Sequence, residues 1–78
     1  MFTVYILYST ILDKYYIGQT NDLVKRIRQH IQARNLGAND WILKYKEAFS
    51  DRAAACSRER EIKKKKSRKY IEFLVRSE

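Results

Sequence analysis

The sequence predicts a small α+β fold whose elements follow the order ββαβαα. Apolar residues alternate in two short N-terminal segments and less regularly in one central segment, and they recur every three to four residues in the intervening and following segments. The chain has 78 residues, 45% hydrophobic and 33% charged, which favours a folded globule over a disordered tail. We expect one domain over residues 1–78, which at this size buries only roughly 60% of its unfolded surface.

The first two strands are predicted at residues 2–8 and 14–19, with a polar turn between them. In the first strand Tyr5 lies on one face, while Val4 and Ile6 lie on the other. Because the two segments are so close in sequence, an antiparallel hairpin is the simplest pairing.

The register of this hairpin can be predicted from one pair of residues. If Tyr8 pairs with Tyr15, Gly18 falls opposite Tyr5, and Tyr16 shares the Tyr5 face. Glycine would then leave room beside the Tyr5 hydroxyl.

The first helix is predicted at residues 22–33. Capping side chains at positions 20–22 precede three apolar residues at four-residue spacing, namely Leu23, Ile27 and Ile31. A glycine-containing segment ends the helix.

The remaining elements are a third strand over residues 41–49 and two further helices. Ser50 or Asp51 can cap a second helix that runs towards Lys66, and Ser67 can cap a third. The apolar alternation in the third strand is imperfect.

One carboxylate stands where the second helix should be apolar. Glu59 is three or four residues from Ala55, Cys56 and Ile62, whereas Glu61 points roughly the opposite way. A buried carboxylate needs a cation or hydrogen bonds. Three interpretations of Glu59 are open: a salt bridge to a neighbouring basic residue, a metal ligand, or a position outside an apolar stripe that is narrower than this spacing suggests.

Arg26 and His30 project one turn apart from the same side of the first helix. They can be ordinary surface and edge residues, or a phosphate clamp in which Arg supplies a planar fork and His relays a proton. Tyr5 and Tyr16 can likewise be core residues or catalytic groups.

The net charge and the cysteine content predict the binding partner and the cellular location. The net charge of +8 favours a polyanionic partner, and nucleic acid is the partner that we expect, DNA in preference to RNA. The single Cys56 indicates a reducing, cytoplasmic location. No apolar run approaches the ~20 residues of a membrane span, so no membrane partner is expected. We expect a monomer or a weak dimer.

Four motifs in order resemble the GIY-YIG nuclease superfamily, in particular its small single-domain bacterial members, which are similar to the nuclease domain of the excision-repair incision subunit. The motifs are Val4-Tyr5-Ile6, Tyr16-Ile17-Gly18, Asp22-Leu23 leading to Arg26-Ile27 and His30, and Arg58-Glu59 with Ile62-Lys63. The likeness spans nearly the whole chain.

The resemblance implies a three-stranded antiparallel sheet flanked by helices and a catalytic set of Tyr5, Tyr16, Arg26, His30 and Glu59. It implies that Glu59 binds one divalent cation, Mg²⁺ or Mn²⁺, that Arg26 stabilises phosphate charge, and that a tyrosine activates water. Tyr5 would be the base, Tyr16 would orient the water, and His30 would receive the proton. Making a phenolate at pH 7 costs about 4 kcal/mol. The implied activity is endonucleolytic hydrolysis of nucleic acid, directed by structure more than by sequence.

The sequence departs from the family pattern in three places. Val4 stands where the first motif has glycine, Gln19 stands where some relatives have a basic residue, and the segment between His30 and Trp41 is short. The last departure bears on substrate choice more than on chemistry.

A basic collar around the site is the candidate nucleic-acid surface, although such a charge run can also be only a solvated face. Contacts of this kind recognise phosphates and not sequence. The alternative function is a non-catalytic nucleic-acid-binding module on the same scaffold; a weaker one is a basic accessory protein of a ribonucleoprotein. The candidate binding residues are Gln19, Lys25, Arg28, Arg58, Lys63, Lys64 and Lys66.

Overall fold

The computed structural model describes residues 1–32, 40–65 and 67–76, and its elements follow the predicted order. No helix among these residues is both long and apolar enough to span a membrane. The elements are strand β1 (Phe2–Ser9), strand β2 (Lys14–Thr20), helix α1 (Leu23–Gln32), strand β3 (Ile42–Phe49), helix α2 (Arg52–Lys65) and helix α3 (Arg68–Arg76).

The three strands form one antiparallel sheet in the order β2-β1-β3. The hairpin register is the predicted one: Tyr8 pairs with Tyr15, Tyr5 with Gly18, and Leu7 with Tyr16. Since directly paired residues point to the same face, Tyr5 and Tyr16 share one face of the sheet.

A bulge in β3 explains the imperfect apolar alternation of this strand. Ile6 pairs with Tyr45, but the next β1 residue, Leu7, pairs with Leu43, so Lys44 is the extra residue. Because the bulge shifts the register by one residue, Leu43 and Tyr45 can serve opposite faces of the sheet.

The two faces of the sheet bury separate apolar clusters. Helices α2 and α3 cover the first face, where the buried residues are Val4, Ile6, Ile17, Tyr45, Ala55, Ile62 and Leu74. On the second face, Tyr5 and Leu7 pack with Trp41 and with residues of α1. The face that carries Tyr5 and Tyr16 is therefore the one that α1 covers.

The predicted helix caps are present. The side chains of Asp22, Asp51 and Ser67 each accept a hydrogen bond from a backbone N–H in the first turn of α1, α2 and α3, at 3.2, 2.8 and 3.2 Å. These bonds satisfy donors that a helix start leaves unpaired.

Helix α1 differs from prediction in which residue it buries. His30 is only 4% exposed, whereas Ile31, predicted in the apolar stripe, is 38% exposed. The helix is rotated so that Leu23, Ile27 and His30 face the sheet. The aromatic rings already on that face explain the choice: His30 lies 4.7 Å from Tyr16, centroid to centroid.

Candidate active site at the edge of strand β2

Tyr5 and Gly18 fit together across the β1–β2 pair. Tyr5 is fully buried, and a Cβ atom added to Gly18 would lie 2.6 Å from its hydroxyl oxygen and 2.8 Å from its Cζ. The Tyr5 ring therefore lies against the Gly18 backbone, and its hydroxyl reaches the outer strand of the sheet. Only a residue without a side chain permits this approach.

The rings of Tyr5, Tyr16 and His30 form one aromatic cluster. The ring centroids of Tyr5 and Tyr16 are 6.3 Å apart, and His30 lies 6.3 Å from Tyr5 and 4.7 Å from Tyr16. Trp41 packs edge-on against Tyr16 at 6.3 Å. The Tyr5 hydroxyl and His30 Nε2 are within hydrogen-bond range, 3.4 Å apart.

Burial raises the pKa of Tyr5, and the positive charge of Arg26 opposes that rise. The effect is mutual, because Tyr5 and then Tyr16 raise the pKa of Arg26. The guanidinium group of Arg26 therefore lies next to both phenols. Tyr5 is a neutral phenol near pH 7.

Burial, followed by the nearby charge of Arg26, lowers the pKa of His30. The imidazole is therefore neutral near pH 7. Nδ1 is buried and has no hydrogen-bond partner among the described residues. If Nδ1 carries the proton, Nε2 is free to accept one from Tyr5.

Glu59 lies on α2, between the buried residues Ala55 and Ile62. Its side chain is 22% exposed, and Oε2 accepts a hydrogen bond from Lys63 Nζ at 2.7 Å. Glu59 also contributes to the raised pKa of Tyr5, so its carboxylate is within electrostatic range of that hydroxyl. Of the three interpretations of this residue, the salt bridge is present, and it leaves the metal-ligand interpretation open.

The donors around Glu59 are compatible with a hydrated divalent cation. The described residues contain no group of three or more His, Cys, Asp or Glu side chains that could hold a metal. Mg²⁺ nevertheless binds through one or two carboxylates together with water and substrate phosphate. Glu59 supplies one such carboxylate at a cavity of about 260 Å³, whose other lining residues, Cys56, Arg60 and Lys63, include two positive charges.

The described residues among the predicted nucleic-acid-binding set fall into three groups: exposed basic residues, Gln19 and Arg58. Lys25, Arg28, Lys63 and Lys64 are exposed, whereas Lys66 lies outside the described residues. Gln19 pairs with Val4 and so points to the face opposite Tyr5, where its Oε1 is buried without a hydrogen-bond partner among the described residues. Arg58 forms the third group.

Arg58 joins β3, α2 and α3. Its guanidinium donates to both carboxylate oxygens of Glu47 at 3.0 to 3.2 Å, to Glu61 at 2.5 Å and to the Tyr70 hydroxyl at 3.1 Å. Tyr45 donates to the same Glu47 carboxylate. With these partners Arg58 is 20% exposed, and we leave it and Gln19 out of the binding surface proposed below.

Sequence reasoning did not identify Glu47 as a partner of Arg58. The sequence did contain one signal, the carboxylate of Glu47 within the predicted third strand. In the structure Glu47 pairs with the apolar Val4. Since Arg58 immediately precedes Glu59, the ion pair limits rotation of α2 at the residue next to the candidate metal ligand.

The protein is a small α+β domain in which the rings of Tyr5, Tyr16 and His30 lie close together beside the guanidinium group of Arg26. The family model of the GIY-YIG catalytic domain matches residues 1–71. The chain therefore belongs to the GIY-YIG family, a nuclease family. No curated protein and no solved structure matched the chain.

Proposed function

We propose that this chain is a divalent-metal-dependent endonuclease that hydrolyses phosphodiester bonds in nucleic acid, DNA in preference to RNA. The observation that carries the proposal is the Tyr5 hydroxyl, held against Gly18, 3.4 Å from His30 Nε2 and next to Arg26. This arrangement offers a proton acceptor beside a permanent positive charge.

The catalytic step is the in-line attack of water on phosphorus. As the new P–O bond forms and the bond to the leaving oxygen breaks, the water proton passes to the Tyr5 oxygen. Tyr5 passes its own proton to Nε2 of neutral His30. Because the two transfers are coupled, no phenolate has to form beforehand. His30 then releases the proton to solvent, and the leaving oxygen takes up a proton from a water molecule.

Arg26 has two roles in the proposed reaction. Its guanidinium neutralises charge on the non-bridging phosphate oxygens, for which a planar fork is well shaped. Since Tyr5 is fully buried with Arg26 beside it, movement of this exposed arginine towards the phosphate would also open the Tyr5 hydroxyl to water. Tyr16 is half-buried and would orient that water.

Glu59 would hold the cation, which when bound supplies Lewis-acid stabilisation of the phosphate and leaving oxygen. Lys63 would then give up its ion pair with Glu59 and become available to a substrate phosphate. Together with Lys25, Arg28 and Lys64, which are also exposed, it would contact phosphates without reading bases.

The Glu59–Lys63 ion pair is also the observation that favours the alternative, a non-catalytic nucleic-acid-binding module. If the pair persists in the presence of metal, Glu59 is a structural residue. Binding of Mn²⁺ can be measured by the paramagnetic relaxation of water protons, without reference to cleavage.

The deciding experiment incubates labelled flap, nicked, branched and single-stranded substrates with Mg²⁺, Mn²⁺ or EDTA. We expect metal-dependent cleavage that Glu59→Gln abolishes and Glu61→Gln retains. Glu61 is the matched control, because it lies on the same helix but is exposed and paired with Arg58. Equal cleavage in both variants would indicate a contaminating nuclease, and Mn²⁺ binding unaffected by Glu59→Gln would remove Glu59 as the ligand.

A further inference from the structure

A groove of about 450 Å³ lies between β2 and the two helices α2 and α3. Its apolar lining includes Ile17, Ile62 and Ile71. The first two are buried in the core beneath the groove, and Ile71 is half-buried at its side. The groove is therefore a concave apolar surface built on a packed core.

The groove also carries positive charge. Lys14, Lys63 and Arg68 line it together with a single acid, Asp13. Arg68 donates to Asp13 at 2.7 Å and neutralises it. Lys14 is exposed and forms no ion pair with a described residue, so the net charge of the lining is complementary to phosphate.

The groove borders the candidate active site, because it shares Tyr16 and the partner of Glu59 with it. Tyr16 and Lys63 line it, while Tyr16 packs on His30 and Lys63 pairs with Glu59. At the other end of β2 a smaller cavity is lined by Asp22, Lys25 and Arg26, among others. The two cavities and the Gly18 position thus follow one strand of seven residues, roughly 20 Å long.

The shape of the groove favours an unpaired base. In a duplex the faces of each base are covered by its neighbours, and apolar walls cannot reach them. An unpaired base can turn out and pack on aliphatic or aromatic side chains. No described strand pairs with the outer side of β2, so backbone groups on that side are available to the edges of a base.

We infer that this groove binds one unpaired nucleotide of the substrate strand, immediately next to the bond that is cut, with its base against the half-buried Tyr15 and Ile71, above the buried Ile17 and Ile62, and its phosphate on Lys14. This inference rests on the proposed function. It restricts the substrates to strands with an unpaired nucleotide at the cleavage position, such as overhangs, flaps and loops.

The first test measures binding without cleavage. The 78-residue chain in EDTA is titrated into a fluorescein-labelled twelve-nucleotide oligo(dT) strand and, separately, into a blunt twelve-base-pair duplex. The Kd values are obtained by fluorescence anisotropy. We expect tighter binding of the single strand. Lys14→Glu should weaken that binding about tenfold and make the slope of log K against log salt about 0.7 less steep.

Lys44→Glu is the matched control, because Lys44 is an exposed lysine on β3, at the opposite edge of the sheet. It makes the same change in net charge and should leave the preference for single strands intact. Equal losses in the two variants, or equal binding of the two ligands by the wild type, would overturn the inference.

A second measurement locates the nucleotide directly. Thymidine 5′-monophosphate is titrated into protein labelled at isoleucine methyl groups, with the exposed Ile11 and Ile42 as internal controls. Saturable shifts at Ile17, Ile62 and Ile71 alone support the site. The same shifts with inorganic phosphate, or shifts confined to the control residues, would overturn it.

These outcomes separate the inference from the proposed function. An inactive chain can still show groove binding, because the measurements contain no metal and no cleavage step. Conversely, loss of metal-dependent cleavage in Glu59→Gln would still support the proposed function if Lys14→Glu and Lys44→Glu bound the single strand equally well.

Discussion

Replacement of Gly18 by alanine tests how the Tyr5 hydroxyl is held. The added Cβ would lie 2.6 Å from the Tyr5 hydroxyl oxygen, 2.8 Å from Cζ and 3.2 Å from Cε1 of Tyr16. Ordinary contacts between such atoms begin at about 3.5 Å, so the hydroxyl must shift by roughly 0.9 Å. Tyr5 is fully buried, and a rigid ring in a packed core has little room to move.

Two effects of Gly18→Ala are expected. Overpacking should lower the free energy of unfolding by about 1 to 3 kcal/mol. Displacement of the proton acceptor by nearly 1 Å should lower the single-turnover cleavage rate by about a hundredfold. The first is measured by urea denaturation and the second on the best substrate of the cleavage assay, with saturating metal.

Thr3→Ala is the control, because Thr3 is a β1 residue on the Tyr5 face, one row along the sheet, paired with Thr20. It should change stability and rate little. If Gly18→Ala matches Thr3→Ala in both measurements, the close approach of Tyr5 to the β2 backbone is not what holds the hydroxyl. A loss of stability with a normal rate would remove Tyr5 as the base.

Three further predictions concern stability. Burial lowers the pKa of His30 from 6.5, so the unfolded chain binds this proton more readily and the free energy of unfolding should fall as the pH drops below about 6.5. Denaturation curves at several pH values should show this loss in the wild type and not in His30→Gln. The same dependence of the free energy of unfolding on pH in both proteins would contradict the prediction. Arg58→Lys should cost about 2 kcal/mol, because lysine cannot reproduce the paired bonds to Glu47; a thermal midpoint unchanged from the wild type would show that the pair adds nothing. Asp51→Ala should cost about 1 kcal/mol through loss of the 2.8 Å bond to Ala54 N–H, whereas Asp51→Asn should retain most of the stability.

Local chemistry made much of the fold predictable. The hairpin followed from the alternation of residues 2–8 and from the proximity of the two segments, and the assumed pairing of Tyr8 with Tyr15 places Gly18 opposite Tyr5 as predicted. The helix starts followed from Asp22, Asp51 and Ser67, because a cap acts within three residues of itself.

Other features depended on contacts distant in sequence. His30 is buried in place of Ile31 because it packs on the rings of Tyr5 and Tyr16. These two residues lie on strands β1 and β2, which precede α1 in the sequence. The partner of Arg58 is Glu47, eleven residues away on another element. Neither choice is visible in the apolar periodicity of a single helix.

The sequence by itself determined the order of the elements and the family motifs, because propensity, capping and alternation act over a few residues. The motifs contain Tyr5, Tyr16, Arg26, His30 and Glu59. Only the tertiary structure decided how these side chains meet. Packing of α1 brings His30 within 3.4 Å of the Tyr5 hydroxyl, and the core beneath α2 places Glu59 within electrostatic range of it. The physical reason is that a protonation state depends on burial and neighbouring charge, and both exist only once the two faces of the sheet are covered.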